Sequence, residues 1–427
     1  MLALPVIVIR EKSGLSNPAP AKTARTRAMV AVCLFFVLIF TTATVFVKSL
    51  WAMESFQIGI FLLLGIYLIA GMGGGKERLA QGWTSWLIYV IPFWGIVQIL
   101  AHTTASSVET REAVLRWGAL AGVFFLSQVC GPTREARRNL LTAFLIFATA
   151  MAVLCLTQLF TAHGMVLWFI STGHPDVYAT FLGYNSYAQF VELALPIAIW
   201  RALSEGWRSW WYALCGGILY ASAIGSASRT GTLLCTLELV ALMAIALVRL
   251  KDPVTGKSPR ATLAIFAAIP ILAIGFTLAV GWEHVWARFH EKDPVLLRQM
   301  YTLAAVDMAK QKPLAGYGLD TFPEVYQRYA LKDYPFYANH AHDDWAEFAA
   351  DGGIPFLLLV LIPFAAIGRD ALRHPWGLGL VSVMVHACVD FPFPRPAVSV
   401  WMFFLLALLY MARLPDESKQ RRTGNPA

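Results

Sequence analysis

The stretch "NHAHDDW", residues 339–345, holds His340, His342 and Asp344 at H-x-H-x-D spacing, with Asp343 between the last two. Three kinds of chemistry use such a set. In a layered soluble hydrolase it would belong to a two-metal site, which draws further His and Asp ligands from other loops. A general base needs one imidazole, whose free pKa near ~6.5 suits proton abstraction at neutral pH, and a neighbour that orients it. A helix start needs only one carboxylate, because an N-cap Asp accepts hydrogen bonds from the next backbone N–H groups. Trp345 stands where a further ligand would be wanted, so neither a metal nor any other cofactor is expected. The reading carried forward is His342 as base, with His340 and Asp344 tuning or orienting it.

Other ionisable residues stand in apolar surroundings. "VHACVDFPFPRP" carries His386, Asp390 and Arg395 near the end of a hydrophobic run, where ionisable groups are costly unless paired or functional. Arg229 opens the apolar run after "GSAS", and Arg298 lies in "PVLLRQMYTLAAVDMAKQ". Either could be a plain solvated or snorkelling arginine. Either could also hold an anion, since a guanidinium is a fixed fork of donors that pairs bidentately with phosphate oxygens.

These residues must be positioned by a membrane protein. Of 427 residues, 58% are hydrophobic and only 14% charged, with 15 Trp, 27 Phe and a mean hydropathy of +0.59, too apolar for a soluble domain. The expected fold is an all-α polytopic bundle of about twelve transmembrane helices with one large, partly helical loop. Runs long enough to cross ~30 Å of hydrocarbon fall near 28–47, 56–74, 84–102, 114–130, 140–160, 184–202, 207–225, 230–249, 261–280, 354–367, 375–390 and 398–412. The chain thereby divides into a basic tail (1–27), nine spans (28–280), a loop (281–353), three spans (354–412) and a second tail (413–427).

Lys and Arg collect in "GKERLAQGW", "GPTREARRN", "RLKDPVTGKSPR" and "GRDALRHP", whereas "TAHGMVLWFISTGHPDVYATFLG" has neither. By the positive-inside rule both tails are cytoplasmic and the 281–353 loop lies outside. The net charge of +8 is therefore a topology signal, and no nucleic-acid partner is expected. The six cysteines form no C-x-x-C pair and are expected to be buried, inert thiols.

The loop predicts its own elements: a helix over "PVLLRQMYTLAAVDMAKQ", a Gly-punctuated turn at "AGYGLDTF" and a short helix in "TFPEVYQRYA". It carries Arg288, Lys292, Arg298, Lys310, Lys312, Arg328 and Lys332 on the side where basic residues are disfavoured, which calls for acidic partners or an anionic ligand. Its aromatics, Tyr317 among them, could stack on sugars, but a small core or a headgroup belt is the preferred reading for most.

"LLRQMYTLAAVDMAKQKPLAGYGLDTFPEVYQRY", followed by "NHAHDDWAEFAADGGIP", resembles the signature loop of the O-antigen ligase and polymerase superfamily. "GYNSYAQFVELALPIAI" and "GSASRTGTLL" resemble that family's Asn-led span, here at Asn185, and its Ser-Arg pair. The resemblance implies a multi-pass transferase of the bacterial inner membrane, its site facing the periplasm, that moves a glycan off undecaprenyl diphosphate. It carries the diphosphate-binding arginines onto Arg229 and Arg298 and the base onto His342. Two positions depart from the pattern: Asp343 stands where Asn is common, and the E-x-G-x-x-G pattern appears as Asp351, Gly353 and Phe356.

Two arginines could stabilise a departing diphosphate without a metal. Attack opposite that group would invert the anomeric centre. Lipid A-core is the expected acceptor, with repeat-unit polymerisation or protein O-glycosylation as alternatives on the same donor. A lipid-glycan transporter is the reading from another class. Against it, the sequence has no repeated halves and no paired broken helices.

Overall fold

The helices form where uninterrupted apolar runs leave the backbone no solvent partners except its own carbonyls. The computed structural model describes residues 19–71, 79, 82–174, 177–205, 209–249, 259–280, 295–330 and 337–414. The first nine helices are α1 (Ala19–Ala43), α2 (Leu50–Gly71), α3 (Trp83–Leu100), α4 (Ser107–Cys130), α5 (Arg134–Thr161), α6 (Tyr184–Ser204), α7 (Ser209–Gly225), α8 (Arg229–Arg249) and α9 (Pro259–Val280). A two-residue hairpin, β1 (Met165–Val166) with β2 (Ile170–Ser171), follows α5. The chain continues through α10 (Val295–Gln311), α11 (Phe322–Val325), α12 (Asp344–Ala365), α13 (Gly368–Arg373), α14 (Leu378–His386) and α15 (Pro396–Met411).

Among the described residues, seven helical runs are long and apolar enough to cross a membrane: α1 to α5, α8, and the run from Asp344 to Arg373. Each of the twelve apolar segments read from the sequence coincides with a helix, though several of these, such as α14 and α15, are short. Crossing by all twelve is therefore part of the proposal below.

The bundle is layered around α6 and α15. Every residue from Ala397 to Met411 is buried, as is α6 from Ser186 to Ile199. Trp401 lies at the centre, stacked on Phe144 at 4.5 Å and donating from Nε1 to Thr42 Oγ1 at 2.9 Å. The outer helices turn large apolar side chains outward, such as Val32, Phe36, Ile66 and Ile69. In water this surface would be a liability, whereas in hydrocarbon it is the solvent-matched face.

The last segment of the loop is set by glycines. Helix α12 is broken at Gly353 (φ 74°, ψ 175°), so Asp344–Gly352 and Ile354–Ala365 are two helices sharing a kink. Pro355 suits the first turn of the second one. The "AGYG" turn docks into this kink: Tyr317 N and Gly318 N donate to Ala350 O and Asp351 O at 3.1 and 2.8 Å. Gln98 of α3 clamps both sides, donating to Ala315 O and Asp351 O and accepting from Leu319 N. A Cβ at Gly316 would sit 2.2 Å from Asp351 O, which excludes any larger residue there. Arg116 of α4 pairs through both terminal nitrogens with Asp320, at 2.5 and 2.6 Å, fixing the next residues of the turn.

Candidate active site

Asp343 starts the site. It is the N-cap of α12, its Oδ1 accepting from Trp345 N and Ala346 N at 3.0 and 3.1 Å, so the helix-start reading holds for this carboxylate. The turn before it is pinned by Glu347, whose carboxylate takes Ala341 N at 2.6 Å and His340 Nδ1 at 2.8 Å. Between these anchors His342 adopts a left-handed backbone, φ 56°. That conformation is uncommon for a non-glycine residue and persists only where the surroundings over-determine it. It leaves the imidazole partly open to solvent.

His342 Nδ1 lies 3.5 Å from Asp390 Oδ1, at the long end of hydrogen-bond reach. The other oxygen, Asp390 Oδ2, accepts from Gln189 Nε2 of α6 at 3.0 Å. Burial pushes the Asp390 carboxyl up, but the His342 imidazole beside it and the nearby charges of His386 and Arg395 outweigh it, so the group sits below the ordinary carboxylate range. The expected orienting neighbours are thereby corrected. His340 is committed to Glu347, and buried Asp344 turns to Phe393 N at 3.0 Å, because helix α12 points its first-turn carboxylates into its own core. The partner comes instead from the loop after α14, 48 positions along the chain from His342.

Two rings frame the imidazole. Tyr301 of α10 lies nearly parallel to it, 6.4 Å between centroids and 20° between planes. Phe391 meets it edge-on at 4.8 Å. Tyr301 is one helical turn from Arg298, so α10 presents the aromatic and the guanidinium on the same face. Thr302 Oγ1 donates to Ala341 O at 3.1 Å and docks this helix against the histidine turn.

The start of α6 contacts Arg298 directly and the segment that carries Arg229 through Ser228. Arg298 Nη2 donates to Tyr184 OH at 3.0 Å. The next residue, Asn185, accepts from Ser228 Oγ at 2.7 Å, and Ser228 caps α8 by accepting from Gly231 N at 3.1 Å. Arg229 is the first residue of α8 and is exposed. Adjacent residues of α6 therefore hold the helix that carries one arginine and the side chain of the other. The α6/α8 approach is close enough that a Cβ at Gly231 would lie 2.3 Å from the Ala188 Cβ.

Below this level α6 continues the polar seam. Asn185, Gln189 and Glu192 follow at spacings of four and three, which places them on one face of the helix. Glu192 Oε1 pairs with His386 Nδ1 at 2.7 Å, both side chains fully buried. Sequence reading found Asn185, His386 and Asp390 but missed Gln189, Glu192, Glu347, Tyr184 and Tyr301. The signal for the first two was present in "NSYAQFVE", a polar stripe at helical period inside an apolar segment.

Tyr317 belongs elsewhere. Its hydroxyl bonds to that of Tyr329, and its ring packs in a small core with Met308, Phe322 and Tyr326. Arg288, Lys292 and Lys332 lie outside the described residues. Among the described residues no group of three or more His, Cys, Asp or Glu is arranged to hold a metal ion. The cysteines are free, and Cys33 and Cys388 are exposed where burial was expected.

Residues 211–361 match the family model described as O-Antigen ligase. The match covers 151 of the 427 residues. The match runs from α7 to the second half of α12 and takes in Arg229, Arg298 and His342. It agrees with the resemblance read from the sequence, and the apolar helices mark the chain as a multi-pass membrane protein. No curated protein and no solved structure matches the chain.

Proposed function

We propose that this O-antigen ligase-family protein transfers a glycan from undecaprenyl diphosphate to lipid A-core on the periplasmic face of the inner membrane, with inversion and without a metal. The observation that carries the reading is the convergence on His342. The imidazole lies against Tyr301, one turn from Arg298, and its Nδ1 is directed at Asp390. With Nδ1 turned to Asp390, Nε2 is the atom left to take the proton of an attacking sugar hydroxyl. Arg229 and Arg298 hold the diphosphate and stabilise the charge that grows on it as the bond from the sugar C1 breaks. The hydroxyl oxygen bonds to C1, the lipid diphosphate leaves with the electron pair, and His342 later releases its proton to water. Twelve crossings, cytoplasmic tails and an outward-facing loop complete the reading, supported by the loop charges.

The test uses purified full-length protein in detergent, undecaprenyl-diphosphate glycan and lipid A-core, with EDTA present. Wild type is expected to make product. His342→Ala should lose 10²-fold or more, roughly the worth of a positioned base. Arg229→Ala and Arg298→Ala should each lose about 10²–10³-fold, as when one transition-state donor is removed. Lengthening of the donor glycan instead would make the protein a polymerase. Loss of activity to EDTA would overturn the metal-free mechanism.

A further inference from the structure

Phe391 is the hub of a second group of side chains. His340 stacks on its ring at 4.4 Å, His342 meets it edge-on at 4.8 Å, and the Arg395 guanidinium lies over it at 4.5 Å. Arg395 is exposed, and among the described residues no hydrogen-bond or ion-pair partner satisfies its guanidinium. Of the nearby carboxylates, Asp390 faces Gln189 and His342, and Asp344 accepts from Phe393 N through one oxygen. The surrounding protein still desolvates the charge, more than Asp390 and Asp344 offset.

The backbone that bears Arg395 is unusually constrained. It lies in "PFPRP", with Pro394 before it and Pro396 after it. The following proline holds Arg395 at φ −90°, ψ 102°, the extended region that a residue before proline must adopt. Its N–H donates to Pro392 O at 3.2 Å, and its carbonyl accepts from Val398 N and Ser399 N at 2.9 Å and from Ser399 Oγ at 3.1 Å. A backbone fixed in this way leaves only side-chain freedom to be lost when an anion arrives.

We infer that Arg395 binds an anionic group, a phosphate or a carboxylate, on the acceptor glycolipid. The inference rests on the transferase reading above. The imidazole of His342 lies between Tyr301, on the helix of Arg298, and Phe391, under Arg395. Donor and acceptor must approach the reacting carbon from opposite sides if the leaving group departs in line. Tyr301 links the imidazole to the helix of Arg298 and Phe391 links it to Arg395, so the inference assigns Arg395 to the side opposite the donor cations.

The test compares lipid A-core that retains its phosphates with the same material dephosphorylated by hydrogen fluoride, using full-length protein in nanodiscs. Arg395→Gln is expected to raise the KM for the phosphorylated acceptor about tenfold or more, the worth of a lost charge-assisted hydrogen bond. The donor KM should not move, Arg395→Lys should recover part of the loss, and the effect should vanish with the dephosphorylated acceptor. A rise in donor KM would move Arg395 to the donor site, and an equal loss with both acceptors would make its role structural. An effect that tracks the fraction of anionic phospholipid would assign it to headgroups. Each of these outcomes overturns the inference. Direct binding of both acceptors to His342→Ala protein, with and without Arg395→Gln, separates the two readings: the phosphate-dependent difference should persist there. If it persists while wild type transfers nothing, the transferase reading fails and the anion site stands.

Discussion

Asp390 divides its two oxygens between Gln189 and His342, and that division sets what its loss should do. Asp390→Asn keeps the shape but removes the charge that favours a protonated imidazole, so kcat should fall by about 10²-fold or more while donor KM changes little. The pH dependence has a definite sign. A carboxyl held below its ordinary range contributes fully above that range and is lost only as pH falls through its lower folded value. Asp390 is therefore ionised throughout ~pH 5–8, and the ratio of wild-type to Asp390→Asn kcat should stay flat across that window. A ratio that collapses toward one at the acid end of the window would show that Asp390 titrates there. At this scale the sequence disclosed types better than pairings. His342 and Asp390 were both legible as candidates, but their contact depends on the left-handed turn at His342 and the return of the chain after α14, which no local spacing encodes.

At the scale of elements, the kink in α12 and the turn docked into it form one unit. Gly316→Ala would place a methyl against Asp351 carbonyl carbon and oxygen at 2.4 and 2.2 Å and force a positive φ on a residue with a Cβ. The expected cost is about 1–3 kcal/mol of strain, and more if the turn undocks. Thermal unfolding in detergent should show a lower Tm for this variant, and no change in Tm would refute the docking. The apolar helices were legible because hydropathy alone marks them, and the helix from Val295 and the Gly turn were legible from period and punctuation. The Arg116–Asp320 pair and the Gln98 clamp were not, because each joins residues about 200 or more positions apart across the bundle. What could have been found is the stripe Asn185, Gln189, Glu192, whose spacing declares a polar face within an apolar helix.

For the whole molecule, the orientation of the bundle can be checked at one atom. Cys388 is exposed and lies two residues from Asp390, on the face assigned to the periplasm. A membrane-impermeant maleimide added to intact spheroplasts should label the protein, and Cys388→Ser should abolish that labelling. Labelling only after permeabilisation would reverse the assigned topology. The expected orientation comes from loop charge alone, because Lys and Arg are counted without knowing the fold.

Helix α15 has a consequence for how the protein is made. From Ala397 to Met411 it is wrapped on all sides by the chain synthesised before it. A segment with no lipid-facing side cannot take its final position until its neighbours have assembled around a vacancy of the right shape. It is also the last of the described helices to leave the ribosome, and the residues just before it, Asp390 and Arg395, belong to the site. The closing event of assembly and the completion of the proposed site are thus the same event, so a chain truncated before α15 is expected to lack activity.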